Sequence, residues 1–284
     1  MNTTTIDLVL ATVARTEELV RFFDSLESQS HRSFRLIAVD QNPDERLLPV
    51  FAPYEGALTI VRETSSLGLS RARNVGLRAL EADVVAFPDD DCWYPPGLLR
   101  NVVDLLDGRP ELDGVAGRTI DPTGRSSFML WAKRAEPITR ANVWRTAVAV
   151  TLFLRRRVVE SVGLFDETLG VGSGTPWGSG EETDYVLRAL DHGFSLVYEP
   201  DVCVYHESPS PSFNRAVARR AYAGGMGSSR VLRKHRYPWW FAAYRVLQLV
   251  AGSTLFLVRA QPARARFYWA MARGRAIGWV RSVK

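Results

Sequence analysis

The stretch DVVAFPDDD, residues 83–91, decides the reading of the fold. An apolar run, Val84-Val85-Ala86-Phe87, stops abruptly at Asp89, Asp90 and Asp91. Consecutive rather than alternating apolar residues suit a strand covered on both faces. The same signature stands upstream in IDLVLATV (6–13), FRLIAVDQN (34–42) and LTIVRE (58–63). Segments with apolar residues at helical spacing accompany these runs: EELVRFFDSLESQ (17–29), SRARNVGLRALEA (70–82) and PGLLRNVVDLLDG (96–108). Strands alternating with helices of a dozen residues predict βαβ units and a mostly parallel sheet flanked by helices. In open α/β sheets ligands bind beyond the carboxyl ends of the strands, where Asp40 and Asp89–Asp91 stand. Strand alternation puts Asp89 and Asp91 on one side and Asp90 on the other.

Past residue 110 the rhythm changes. GVAGRTID and AVAVTLFLRR read as strands, and EETDYVLRALDHG as a helix. SLVYEPDVCVYH reads as two short strands. DETLGVGSGTPWGSG (166–180), with glycines at 170, 172, 174, 178 and 180, predicts a mobile loop. Two cysteines, Cys92 and Cys203, exclude a disulfide framework or a Cys-type zinc site and suit a reducing compartment. The opening MNTTTIDLVLATVARTEELV lacks a basic region and carries Asp7 inside its apolar run, so it reads as a strand and helix start rather than a signal peptide. The catalytic part is therefore expected in the cytoplasm.

Charge is distributed unevenly. Residues 208–284 hold 15 Lys and Arg and no acid, which leaves 21 basic against 31 acidic residues in 1–207. An acidic body thus carries a basic tail, which points to an anionic partner. No nucleic-acid-binding motif accompanies the charge, so an anionic membrane surface is the expected partner rather than a nucleic acid.

Three adjacent carboxylates repel one another unless a cation neutralises them. Oxygen ligands of this kind suit Mg²⁺ or Mn²⁺ bound to a substrate's phosphates; a solvated acidic turn before Tyr94-Pro95-Pro96 is the alternative. SLGLSRARNVGLRALEAD (66–83) sets Arg71 and Arg73 in the first turn of a helix behind a glycine-containing loop. That arrangement suits phosphate, or is a plain amphipathic helix with solvated arginines.

Taken in order, strand, Thr12-x-x-Arg15, strand, Asp40, GLSRARNVG, strand, DDD and GEETD resemble the inverting, nucleotide-sugar-dependent glycosyltransferases of family 2, with the GT-A fold. The resemblance covers roughly residues 5–207 and implies a nucleotide-sugar donor. It implies that Thr12, Arg15, Asp40 and Arg73 bind the nucleotide. Asp91 would hold a diphosphate-bound metal, Mg²⁺ or Mn²⁺, with Asp89 or Asp90 on the ribose or diphosphate. Glu182, where the family more often has Asp, would be the catalytic base, supported by Glu181 or Asp184. His206 would complete the metal site. The family often has Pro where this chain has Ala11, which bears on the path of the first loop. Read without the family, Ser179 and Glu182 form a capping box at a helix start. Trp177 and the glycine-rich loop could close over the sugar and exclude water.

In the tail, FNRAVARRAYAGGMGSSRVLRKHR (213–236) reads as a basic helix interrupted at Gly224-Gly225. YPWWFAAYRVLQLVAGSTLFLV (237–258) has Arg245 as its only charge and approaches the roughly 20 residues a membrane span needs. A central arginine costs at least about 2.5 kcal/mol there. Basic clusters on both sides oppose a single span, so helices lying in the cytoplasmic leaflet are expected. The expected division is a catalytic domain, 1–210, and a membrane-association region, 211–284. The acceptor is expected to be a saccharide or lipid-linked saccharide of surface-polysaccharide synthesis. A sugar-nucleotide nucleotidyltransferase is disfavoured because ATVARTEE lacks glycine after the first strand. An inactive membrane-bound partner with the same fold is the other alternative.

Overall fold

A computed structural model describes residues 3–127, 131–207 and 213–281. Its strands are β1 (Ile6–Thr12), β2 (Phe34–Asp40), β3 (Ile60–Thr64), β4 (Val84–Ala86), β5 (Cys92–Trp93), β6 (Gly114–Ile120), β7 (Glu136–Pro137), β8 (Leu152–Arg155) and β9 (Leu196–His206). Its helices are α1 (Glu17–Glu27), α2 (Leu48–Phe51), α3 (Leu69–Arg78), α4 (Leu98–Gly108), α5 (Val143–Thr146), α6 (Arg156–Val162), α7 (Glu181–Asp191), α8 (Arg215–Lys234), α9 (Trp239–Val258) and α10 (Pro262–Arg281). The chain divides into two compact units. One comprises Met1–Leu67, Arg71–Phe165 and Tyr185–Ser208; the other comprises Gly68–Ser70, Asp166–Asp184 and Pro209–Lys284. The domain boundary expected at 210/211 lies outside the described residues.

The first unit holds the sheet, in the order β3-β2-β1-β4-β8-β6-β9-β5 with β7 beside β9. The four strands read from the N-terminal apolar runs are parallel neighbours. β8 then enters antiparallel between β4 and β6. On one face, Leu19, Phe22, Phe23 and Leu26 of α1 and Leu98, Leu99, Val102, Val103 and Leu106 of α4 pack on Ile6, Leu8, Leu10, Leu36 and Val84. Each such side chain contributes roughly 1.5–3 kcal/mol on burial. On the other face α3 comes so close that a Cβ on Gly76 would lie 2.4 Å from Val9. Asp7, the acid inside the apolar run, is fully buried. Arg35 donates to both its oxygens, at 2.8 and 2.7 Å, and the amides of Glu81 and Ala82 complete its shell. Burial opposes ionisation there, but these bonds outweigh it and hold the carboxyl below its usual range.

Three expectations are corrected. SLVYEPDVCVYH is one strand, β9, because β6 shifts register between Ala116 and Arg118 and absorbs the irregularity at Pro200. Arg118 Nε donates to the carbonyl of Pro200 at 2.7 Å, and a Cβ on Gly117 would collide with Val202 O at 1.8 Å. Secondly, α8 runs unbroken through Gly224-Gly225. Glycine serves close approach there rather than breakage: a Cβ on Gly225 would sit 2.4 Å from the carbonyl of Met271 in α10. Thirdly, the loop 166–180 is tied down. Gly170 N donates to Trp177 O (2.9 Å), Gly178 N to Ala223 O (3.1 Å) and Ser179 Oγ to Gly224 O (2.8 Å).

The second unit contains α8, α9 and α10. α9 carries an exposed apolar surface that includes Trp239, Trp240, Tyr244, Leu247, Leu257 and Val258; Trp269 and Val280 of α10 are exposed as well. Among the described residues, α9 is the one helix long and apolar enough to cross a membrane.

Candidate active site

The carboxyl ends of β1, β2 and β4 and the end of β9 bring most of the expected residues together. β4 stops at Ala86, and Asp90 and Asp91 lie in a turn that follows a single bridge between Ala11 and Asp89. Strand alternation therefore does not apply to the aspartates. Asp90 and Asp91 both face Arg15, whose Nε is 3.3 Å from Asp90 and whose Nη1 is 2.5 Å from Asp91. Thr12 Oγ1 donates to Asp90 Oδ2 at 2.9 Å. His206 Nε2 lies 3.3 Å from Asp91 Oδ1, brought there by the pairing of Cys92 with His206 across β5 and β9. Arg73 Nη2 lies 3.2 Å from Asp89. Each crowded carboxylate thus has a cationic side chain of its own chain beside it.

The electrostatics separate the neighbours. Burial pushes Asp90 up to about 6, although Arg15 and Thr12 pull the other way. Asp91 is equally subject to burial, but hydrogen bonds from His206 and Arg15 outweigh it and hold it at about 2. The hydrogen bond to Asp91 in turn raises His206 above its ordinary value. Asp91 is consequently the fixed anion of the group, and His206 its partner.

Arg73 was expected in the first turn of its helix. α3 begins at Leu69, so Arg73 lies in the second turn, only 2% exposed, with its guanidinium over Phe87 and Phe165. Arg71 turns back on the loop and donates to Leu67 O at 2.7 Å. Asp40 accepts from the amide and the side chain of Asn42, at 2.8 and 2.7 Å. Asn42 Oδ1 accepts from the amide of Ala14, a residue held at φ +64°. A left-handed alanine is unusual, and this bond fixes the turn that presents Arg15. Asn42 is a site residue that sequence reasoning missed; the DQN sequence at a strand end was the available signal. Asp40, Asn42 and Arg62 also line a cavity of about 330 Å³.

Glu182 belongs to the second unit. Gly180, at φ +95°, precedes α7, and Asp184 N donates to Gly180 O at 2.8 Å. The helix therefore starts at Glu181, and the hydroxyl of Ser179 is engaged with Gly224 rather than serving as a cap. Asp184 is fully buried and its Oδ1 lies 2.8 Å from both Lys234 Nζ and His235 Nε2.

As for a metal, among the described residues no group of three or more His, Cys, Asp or Glu gathers around one point. Asp91 and His206 do converge, and an oxygen and an imidazole nitrogen are the donor types that Mn²⁺ accepts. Two protein donors fit an ion that takes its other ligands from phosphate oxygens and water.

This sheet, with acids at its parallel strand ends, has the GT-A fold. Residues 7–161 match the model of glycosyl transferase family 2, and the chain belongs to that family. Haloferax volcanii glycosyltransferase AglE is 26% identical over 232 residues, which cover 77% of this chain and 71% of AglE. The pre-mycofactocin glycosyltransferase of Mycobacterium tuberculosis is 28% identical over 218 residues, 72% of this chain but 44% of that protein, so the chain spans less than half of it. Among solved structures, the mannosyltransferase PcManGT of Pyrobaculum calidifontis, in complex with GDP-Man and Mn²⁺, superimposes with a TM-score of 0.61. Identity there is 16%, over 97% of this chain and 86% of that one.

Proposed function

We propose that this glycosyltransferase moves a sugar from a nucleoside-diphosphate sugar to a hydroxyl of a saccharide or lipid-linked saccharide, with inversion, at the cytoplasmic face of a membrane. The observation that carries the reading is the convergence of Arg15, Asp91 and His206 beside Thr12 and Asp90 at the strand ends. Asp91 and His206 would hold the divalent ion, and Asp89 and Asp90 would touch the ribose or diphosphate. The ion, when bound, supplies charge stabilisation for the departing nucleoside diphosphate. Arg15 and Arg73 add positive charge at the same rim. Asp40 with the cavity it lines would receive the nucleobase.

Glu182 is the proposed base. It takes the acceptor hydroxyl's proton as that oxygen bonds to the anomeric carbon and the bond from that carbon to the diphosphate oxygen breaks. Replacing Glu182 with Gln should lower kcat by about 10²–10⁴-fold while nucleotide binding survives. Undiminished transfer would end its role. Thermal stabilisation by UDP, GDP and dTDP, each with and without Mn²⁺, tests the donor site. One nucleotide should raise Tm, and more so with metal.

The basic tail supports a membrane location. Its exposed tryptophans and leucines lie among arginines without acids, the composition of a helix in the headgroup layer.

A further inference from the structure

We infer that Lys234 and His235, at the end of α8, are positioning residues for Glu182: by gripping Asp184 they fix the rotation of α7 about its axis. The inference rests on the reading of Glu182 as base.

Residues two apart on a helix point about 200° away from each other. Asp184 and Glu182 are so spaced, and they leave α7 on nearly opposite sides. A hold on Asp184 therefore determines where Glu182 points without touching it. Two side chains take part in that hold. Lys234 Nζ and His235 Nε2 both lie 2.8 Å from the same oxygen of Asp184, which is fully buried. His235 is itself 8% exposed, and its Nε2 must carry the hydrogen that meets this carboxylate. Lys234 Nζ also reaches Asp166 Oδ2 at 2.8 Å, and Asp166 Oδ1 accepts from the amide and hydroxyl of Thr168. One lysine thus links the loop before α7 to the helix itself.

The backbone is gripped from the same helix. A Cβ on Gly180 would meet Val231 at 2.8 Å, and one on Gly227 would meet the carbonyl of Ser179 at 2.2 Å. Gly180 needs its positive φ as well. α8 consequently holds the residues just before α7 by shape, and its first turn by charge. A buried carboxylate with two charge-assisted hydrogen bonds is a stiff anchor.

The test uses the full-length protein. His235→Leu should lower kcat about 10- to 100-fold while the donor KM and the Tm shift on adding nucleotide diphosphate stay within about twofold. His235→Gln, whose side-chain amide can donate to the same oxygen, should restore most of the loss. An unchanged kcat in the leucine variant, a donor KM that rises in step with the fall in kcat, or a glutamine variant no better than leucine would each overturn the inference. Should His235→Leu not fold, Lys234→Met removes the other named donor and must still lower kcat; an unchanged rate there overturns it equally. Glu182→Gln separates the two layers of the reading. Transfer retained in that variant removes the base itself. Transfer lost in Glu182→Gln but kept in the His235 and Lys234 variants removes only the positioning role.

Discussion

The sheet rim and the C-terminal helices use arginine in opposite ways. At the rim, and at the amino ends of β1 and β2, guanidinium groups meet carboxylates: Arg15 with Asp90 and Asp91, Arg73 with Asp89, Arg35 with Asp7. In α8–α10, where no acid follows Glu207, several arginines meet rings and carbonyls. Arg264 lies 4.4 Å from the Phe256 ring centre, Arg233 5.0 Å from that of Trp279, and Arg275 Nη1 donates to Arg245 O at 3.0 Å. Burial and the nearby charge of Arg245 push Arg275 down to about 9. A π-face or a carbonyl seats a cation without cancelling its charge. The first arrangement neutralises, and so permits carboxylates inside a fold. The second leaves a net positive charge, on which the proposed membrane partner depends.

The contrast can be broken most directly at Asp7. Arg35→Met would leave that fully buried carboxylate without its cation, and urea unfolding at pH 7 should show a loss of about 3–5 kcal/mol. A loss below about 1 kcal/mol would mean that the amides of Glu81 and Ala82 suffice. On the other side, replacing exposed Arg259 and Arg266 with Gln should weaken binding to phosphatidylglycerol-containing vesicles by about 1 kcal/mol each and leave binding to neutral vesicles unchanged. Equal losses on both vesicle types would assign those arginines to packing. A further effect concerns Lys234, which does meet acids. Burial opposes ionisation of Asp166, but Lys234 and Thr168 hold it at about 2. A lowered folded-state pKa gives stability that is complete above about pH 4 and disappears as pH falls through about 2. Asp166→Asn should flatten the stability curve across that interval by about 1–2 kcal/mol, allowing for partial exposure.

Much of the sheet was legible because unbroken apolar runs such as Val84–Phe87 report burial on both faces. What escaped were features set by contacts distant in sequence. β9 looked like two strands because Pro200 is a local break, whereas the compensating bulge belongs to β6. Gly224 and Gly225 looked like a helix stop because propensity cannot see the helix that packs against them. Alternation puts the aspartates on opposite sides because nothing local shows that β4 ends three residues before Asp89. Of the site, the acids and arginines were recognisable in order, but their pairing was not: that Arg15 faces Asp90 and Asp91 depends on Ala14 and Asn42. Asp184 does carry a local signal. It stands beside Tyr185 and one turn before Leu187 on a buried face, where an acid demands a cationic partner.

Gly274 and Gly278 of α10 lie four residues apart, and each would put a Cβ within 2.7 Å of a carbonyl of α8, at Tyr222 and Met226. The backbones of those two helices therefore touch along a seam with no room for an acyl chain or a water molecule. Parting them would uncover both backbones, so the proposed membrane association would engage α8 and α10 as one body.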